Sequence, residues 1–131
     1  MSSRKEEKRV ENRLKACMID DGSGKICIDP ALPIIELLGK KYTLMVIGVL
    51  GNKGGRKNFN EVLSDIPFSS STIISRRLKD LRNAGIIVRK IDSKGITYSL
   101  TEFGLGLRKA MLPLLRLLEG NQPEPRQPRS V

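Results

Sequence analysis

Between Ser70 and Asn83 the chain carries Ser70, Ser71, Thr72, Ser75, Arg76, Arg77, Lys79 and Arg82 around three spaced apolar residues, Ile74, Leu78 and Leu81. At about 100° per residue those three fall in a narrow arc, while Thr72, Ser75, Arg76, Lys79, Arg82 and Asn83 occupy the opposite side. A hydroxylic and cationic face of this kind suits the major groove of duplex DNA. Arg donates in bidentate fashion to guanine O6 and N7, Ser and Thr suit several base edges, and Lys pairs with phosphate. Ser70, Ser71, Thr72, Ser75 and Arg76 are the base-reading candidates, with Lys79 and Arg82 beside them. Arg77 lies at the margin of the apolar stripe, so its stem packs while its guanidinium reaches either a phosphate or a carboxylate of a neighbouring helix. An ordinary solvated helix would carry the same residue types, so the surrounding elements must discriminate.

Asn58 with Glu61 three residues later is an N-cap signal, and Phe59, Val62, Leu63 and Ile66 follow at the spacing of a helix with one buried face. Pro67 stops that helix, and the serines after Phe68 cap the next, which ends near Ala84-Gly85. Two helices joined this tightly form a helix-turn-helix. Ile86 to Ile91 and Ile96 to Leu100 then read as two β-rich runs around Asp92-Ser93-Lys94-Gly95. A two-stranded hairpin is marginal alone and must pack on the preceding helices, which makes the winged form. Arg89, Lys90 and Lys94 cluster on this wing, where they would follow the DNA backbone into the adjoining minor groove. Lysines that protect a sheet edge from pairing would look the same. Arg56 and Lys57, in the loop after Gly51, add two more candidate DNA contacts.

The flanks supply helices of another kind. Ser3 and Glu6 stand at capping-box spacing, and Val10, Leu14, Cys17 and Met18 share one side of an expected helix from Ser3 to about Ile19. Asp20 to Gly24 breaks it in a flexible turn. Asp29-Pro30 offers an N-cap and first turn for a short helix ending at Gly39, and the all-round apolar run Leu44 to Leu50 reads as a buried helix. Thr101 caps a final helix with Phe103, Leu107, Met111, Leu114 and Leu118 in one stripe, widened by Leu105, Leu112 and Leu115. So broad an apolar face suggests burial against a second chain. Pro113 inside it is expected to kink the helix or interrupt its hydrogen bonds near Lys109. The expected fold is mainly α with a small β-hairpin, a winged helix-turn-helix. It divides into an arm and turn over 1–24, the domain over 25–119 and a disordered tail over 120–131.

Composition narrows the function. The 24 Lys and Arg residues against 14 Asp and Glu give a formal charge of +10, a field that draws polyanions. No apolar run approaches the roughly 18–20 residues that cross a bilayer, and the N-terminus is charged, so a cytoplasmic protein is expected. Two cysteines and no histidine make a zinc enzyme or a four-ligand finger a poor fit. Gly22-Ser23-Gly24-Lys25 and Gly39-Lys40-Lys41 lack the positions of a phosphate-binding loop, and Gly104-Leu105-Gly106 is too short for a dinucleotide fingerprint. No enzyme, catalytic residue, metal or cofactor is expected. The alternatives to a sequence-specific DNA binder are an architectural or protein-interaction module that coats DNA without choosing sequence, and, more remotely, an RNA-associated protein.

From Cys27 to about Leu118 the chain resembles the HxlR family of bacterial and archaeal winged-helix transcription regulators, related in fold to MarR-type regulators. The resemblance rests on Leu37-Leu38-Gly39-Lys40-Lys41-Tyr42-Thr43, Phe59-Asn60-Glu61-Val62, Ile66-Pro67, Ser70 with Arg77-Leu78-Lys79-Asp80-Leu81, and Tyr98-Ser99-Leu100-Thr101 before Gly104. It implies a homodimer held by the N- and C-terminal helices, through Val10, Leu14, Met18, Leu107, Met111, Leu114, Leu115 and Leu118. Two recognition helices would then enter successive major grooves of a pseudo-palindromic operator, with half-sites about 10 base pairs apart. Members often carry a cysteine about a dozen residues before the Gly-Lys pair, an oxidant or electrophile sensor in some, and Cys27 falls in that register. The chain departs from the pattern at Ile28, where many members have proline, at Tyr42, where tryptophan is usual, and in a shorter wing turn.

Overall fold

The computed structural model describes residues 18–29 and 31–121, and the chain divides into two compact units at the step from Lys41 to Tyr42. In the first, β1 (Met18–Asp20) pairs antiparallel with β2 (Lys25–Cys27), Met18 opposite Cys27 and Asp20 opposite Lys25. Asp21 ties the turn: one carboxylate oxygen accepts from Ser23 N (2.9 Å), Ser23 Oγ (3.0 Å) and Gly24 N (2.8 Å). These donors, the Ser23 backbone N–H foremost, hold the Asp21 carboxyl below the usual carboxylate range. Met18 and Ile19 are thus strand, not the end of the helix expected from Ser3 to Ile19. The turn folds Lys25 to Cys27 back alongside them, and the ladder takes up backbone groups a helix would have paired internally. Val10 and Leu14, in the rest of that expected helix, lie outside the described residues. The segment 21–24 closes a hairpin.

Helix α1 spans Pro33–Leu38, not a stretch opening at Asp29-Pro30. A residue before proline is pushed off the helical region, and Leu32 sits at φ −59°, ψ 129°, leaving Pro33 as the first helical residue. Asp29 instead forms a local turn, its side chain accepting from Ala31 N at 2.9 Å.

The second unit runs α2 (Thr43–Leu50), α3 (Phe59–Asp65), α4 (Ser71–Asn83), β3 (Ile87–Asp92), β4 (Gly95–Leu100) and α5 (Glu102–Gly120). Helix α2 packs against α3, α4, α5 and β4, which is why its sequence is apolar on every side. Val46, Ile47 and Leu50 from α2 are wholly buried with Val62, Ile74, Leu81 and Ile86. Each later helix starts on the side chain that the sequence offers. Asn58 and Glu61 form a reciprocal capping box (2.8 and 3.1 Å), Ser70 accepts from Ile73 N (3.2 Å), and Thr101 accepts from Gly104 N (3.0 Å). Caps of this kind are worth about 1 kcal/mol each.

The wing is in register from Ile87 opposite Leu100 to Asp92 opposite Gly95, leaving Ser93-Lys94 as the turn. Lys57 bridges Tyr98 on the outer side of β4 through two backbone bonds of 3.0 and 2.7 Å. At the wing's base Thr101 N donates to Ile86 O (3.0 Å) and Thr101 Oγ1 to Gly85 O (2.7 Å). The start of α5 lies so close that a Cβ at Gly104 would enter the Ile86 carbonyl oxygen. Arg108 fastens α5 to the end of α2, donating to Gly48 O (2.9 Å), which also accepts from Gly51 N, and to the Asn52 side-chain Oδ1 (3.2 Å). Gly51 leaves room for its stem. Helix α5 continues through Pro113 to Gly120, and Pro113 has no N–H to offer the Lys109 carbonyl.

Gly104→Ala is expected to lower the unfolding free energy in urea by about 1–3 kcal/mol, because the Ile86 carbonyl is backbone and must move. Gly106→Ala, on the same helix with open space around it, should instead gain about 0.5–1 kcal/mol from helix propensity.

Candidate nucleic-acid interface

Helices α3 and α4 are joined by five residues whose path is set by Pro67. It holds Ile66 at φ −118°, ψ 84°, ending α3, and Phe68 then turns the chain at φ +68°. Ser69 Oγ donates to Ile66 O at 2.6 Å, and Ser70 opens α4 as its cap. Of the three serines that could cap, Ser69 is spent on the turn.

Helix α4 separates its two faces as its spacing predicts. Ile74, Leu78 and Leu81 are at most 2% exposed, whereas Ser70, Ser71, Thr72, Ser75, Arg76 and Lys79 face solvent and Arg82 is half-buried. The hydroxyl residues gather at the N-terminal end, where the helix dipole and unpaired N–H groups favour anions.

The remaining candidates sort by what already holds them. Arg77 is largely covered, its side chain 13% exposed, with Nη1 3.4 Å from Asp80 Oδ2 one turn along its own helix. Lys57 is similarly covered and lies 2.6 Å from Asp65, bracing α3 beside the wing. Arg56, 3.8 Å from Asp92, is about half exposed on both sides of a solvent-screened pair. Arg89, Lys90 and Lys94 are exposed on the wing. The register sets Arg89 on the face of Tyr98 and Ile91 and Lys90 on the opposite face with Val88, so the two cations diverge.

On α5 the expected partner-facing stripe splits. Met111 is 6% exposed within its own chain, beside Gly48, and belongs to the core rather than to an outward face. Leu107 and Leu115 are half-buried at the core's margin. Leu114 and Leu118 remain outside, joined by Phe103 and Leu117, in an arc of about 100° beside the buried residues. Leu117 falls within this arc although the expected stripe omits it. The backbone of Met18 is strand, and Cys27 ends β2 as an exposed residue. Phe68, fully exposed in the turn, is a surface residue that helical periodicity misses, because it belongs to no helix. Among the described residues no group of three or more His, Cys, Asp or Glu could hold a metal, and no helix is long and apolar enough to cross a membrane.

A half-buried reading helix, a supporting helix at its N-terminus and a cationic hairpin behind it define a winged helix-turn-helix DNA-binding protein. An HxlR-like helix-turn-helix family model matches residues 37–125. The fold superposes with a TM-score of 0.74 on a possible HxlR family transcriptional factor from Thermoplasma volcanium GSS1, 47% identical, covering 79% of this chain and 97% of that one. The HTH-type transcriptional regulator YodB of Bacillus subtilis (strain 168) is 35% identical over 76 residues, 56% of this chain and 66% of YodB. Its reduced form superposes with a TM-score of 0.58 at 30% identity, covering 73% and 98% of the two chains. Its quinone-bound form gives 0.57 at 30% identity, covering 67% and 93%. The chain belongs to the HxlR family of helix-turn-helix transcription regulators.

Two adjacent arginines provide a test of how the interface is sorted. Arg77→Ala should lower stability by about 1 kcal/mol through lost packing and an orphaned Asp80, whereas exposed Arg76→Ala should stay within about 0.5 kcal/mol of the parent in urea unfolding.

Proposed function

We propose that the protein binds a pseudo-palindromic operator as a homodimer and chooses its sequence through α4. The observation that carries this reading is the separation on α4 of a wholly buried apolar edge from an exposed face of hydroxyls and cations. Ser70, Ser71, Thr72, Ser75 and Arg76 contact base edges, Lys79 and Arg82 the flanking phosphates, and Arg56, Arg89, Lys90 and Lys94 the backbone beside the wing. Arg77 and Lys57 act at one remove, by holding α4 and the wing root in place. The exposed arc of Phe103, Leu114, Leu117 and Leu118 is the face that a second copy covers, with Leu107 and Leu115 at its margin. Two reading helices fixed about one DNA turn apart give a specificity that one alone lacks.

Titration of duplexes selected from a random pool, followed by fluorescence anisotropy, is expected to show one enriched motif and binding that weakens steeply with salt. No enriched motif would favour an architectural protein that coats DNA, and binding insensitive to salt would remove the reading. Arg76→Ala should cost about 1–3 kcal/mol on the selected site and relax the preference at one base pair; equal loss on every sequence assigns it to phosphate.

Cys27 is the candidate thiol switch. Its support is its exposure at the end of β2 and the likeness to YodB, which has been solved reduced and quinone-bound. A quinone should change operator affinity in the wild type as the Cys27 sulfur adds to a ring carbon. Cys27→Ser should bind equally with and without it; a response that survives the substitution places the switch elsewhere.

A further inference from the structure

Phe68 combines two features that rarely meet without a cause. Its ring is 100% exposed, and its backbone sits at φ +68°, a left-handed conformation that bulky side chains avoid. A lone exposed apolar residue is ordinary, but one that also occupies a glycine-like backbone position gives up both burial and backbone comfort. The surrounding bonds hold the turn in place. Tyr42 Oη donates to Phe68 O at 3.1 Å, and Ser69 bonds Ile66 O through both its hydroxyl (2.6 Å) and its N–H (3.3 Å).

We infer that Phe68 is a specificity residue that packs its ring on the 5-methyl group of a thymine in the operator, from the turn that precedes α4. The inference rests on the operator-binding reading above. Phe68 lies two residues before the cap Ser70, beside the exposed Ser71 and Thr72, at the end of a reading helix that approaches base edges most closely. Every other candidate there bonds to polar edges. The thymine methyl is the apolar feature that the major groove offers, and an aromatic ring can meet it where a hydroxyl cannot. Helix periodicity does not put Phe68 among the readers, because the left-handed turn, not a helical position, displays it.

The experiment uses the full chain and its pool-selected operator, replacing each thymine in turn by deoxyuridine, which lacks only the methyl. Wild type should lose about fourfold in affinity at one thymine per half-site, the value of one buried methyl. Phe68→Gly should bind the unmodified operator about four- to tenfold more weakly. It should lose the methyl sensitivity at that thymine alone and keep the wild-type salt slope. Glycine suits the positive φ, so its Tm should equal or exceed that of wild type. Phe68→Leu should retain part of the methyl sensitivity. A Phe68→Gly variant with wild-type affinity and an unchanged methyl profile overturns the inference, as does one whose only defect is in self-association. If wild type selects no operator, the operator-binding reading fails first and takes this inference with it; an operator with no Phe68-dependent thymine defeats the inference alone.

Discussion

Burial of Ile74, Leu78 and Leu81 along α4, which packs on α2, α3 and β3, is the contact on which the second unit depends. Each side chain removed from water in this way contributes about 1.5–3 kcal/mol, enough to hold a helix whose remaining surface is polar. The edge is narrow, and for that reason most of α4 is left in solvent. The demand passes to α2, which must be apolar on the side facing α4 and again on the sides facing α3, α5 and β4. A helix so enclosed has few polar groups with which to finish its C-terminal end. Arg108 reaches back from α5 to do so at Gly48 and Asn52, crossing a position that only glycine leaves open.

The same economy sorts the charges. The chain carries a formal +10, and two kinds of cation stand out among the described residues. Lys57, Arg77 and Arg108 are partly withdrawn from water and bonded to Asp65, Asp80 and the end of α2, so they hold elements together. Arg76, Lys79, Lys90 and Lys94 stand in solvent on α4 and the wing, where a positive field draws a polyanion and local contacts orient it. Between these sets runs a backbone knot at Gly85, Ile86, Thr101 and Gly104 that fixes the wing to the root of α5. A displacement of the C-terminal helix therefore reaches the wing through bonded backbone.

Much of this was legible in the sequence because it is local. Asn58 with Glu61, Ser70 and Thr101 satisfy N–H groups three residues away, Pro67 ends a helix by restricting Ile66, Gly85 ends another by taking a positive φ, and the α4 stripe follows from a period of 3.6. The winged helix-turn-helix follows from those signals in order. Spacing alone failed where partners lie far along the chain or where two local signals compete. Pro33 outweighed Asp29-Pro30 as the start of α1. Met18 and Ile19 read as helix by their apolar spacing but pair as strand once Asp21 closes a turn and brings Ile26 and Cys27 beside them.

Tertiary structure alone decided which member of each equivalent set is spent inside the protein. Leu114, Leu118 and Met111 are alike on a helical wheel, yet Met111 meets Gly48 in the core while the leucines stay in water. Arg76 and Arg77 are adjacent and chemically identical, and only the second lies low enough on α4 to be covered and paired. Phe68 is in neither group: proline before it and the Tyr42 hydroxyl on its carbonyl set its backbone, and among the described residues none covers its ring. The sequence by itself determined the elements of the second unit, their caps and the polar character of the exposed face of α4, since those depend on neighbours within a few residues. Which side chains remain outside was decided by packing, because burial depends on surfaces that meet only after the helices have come together.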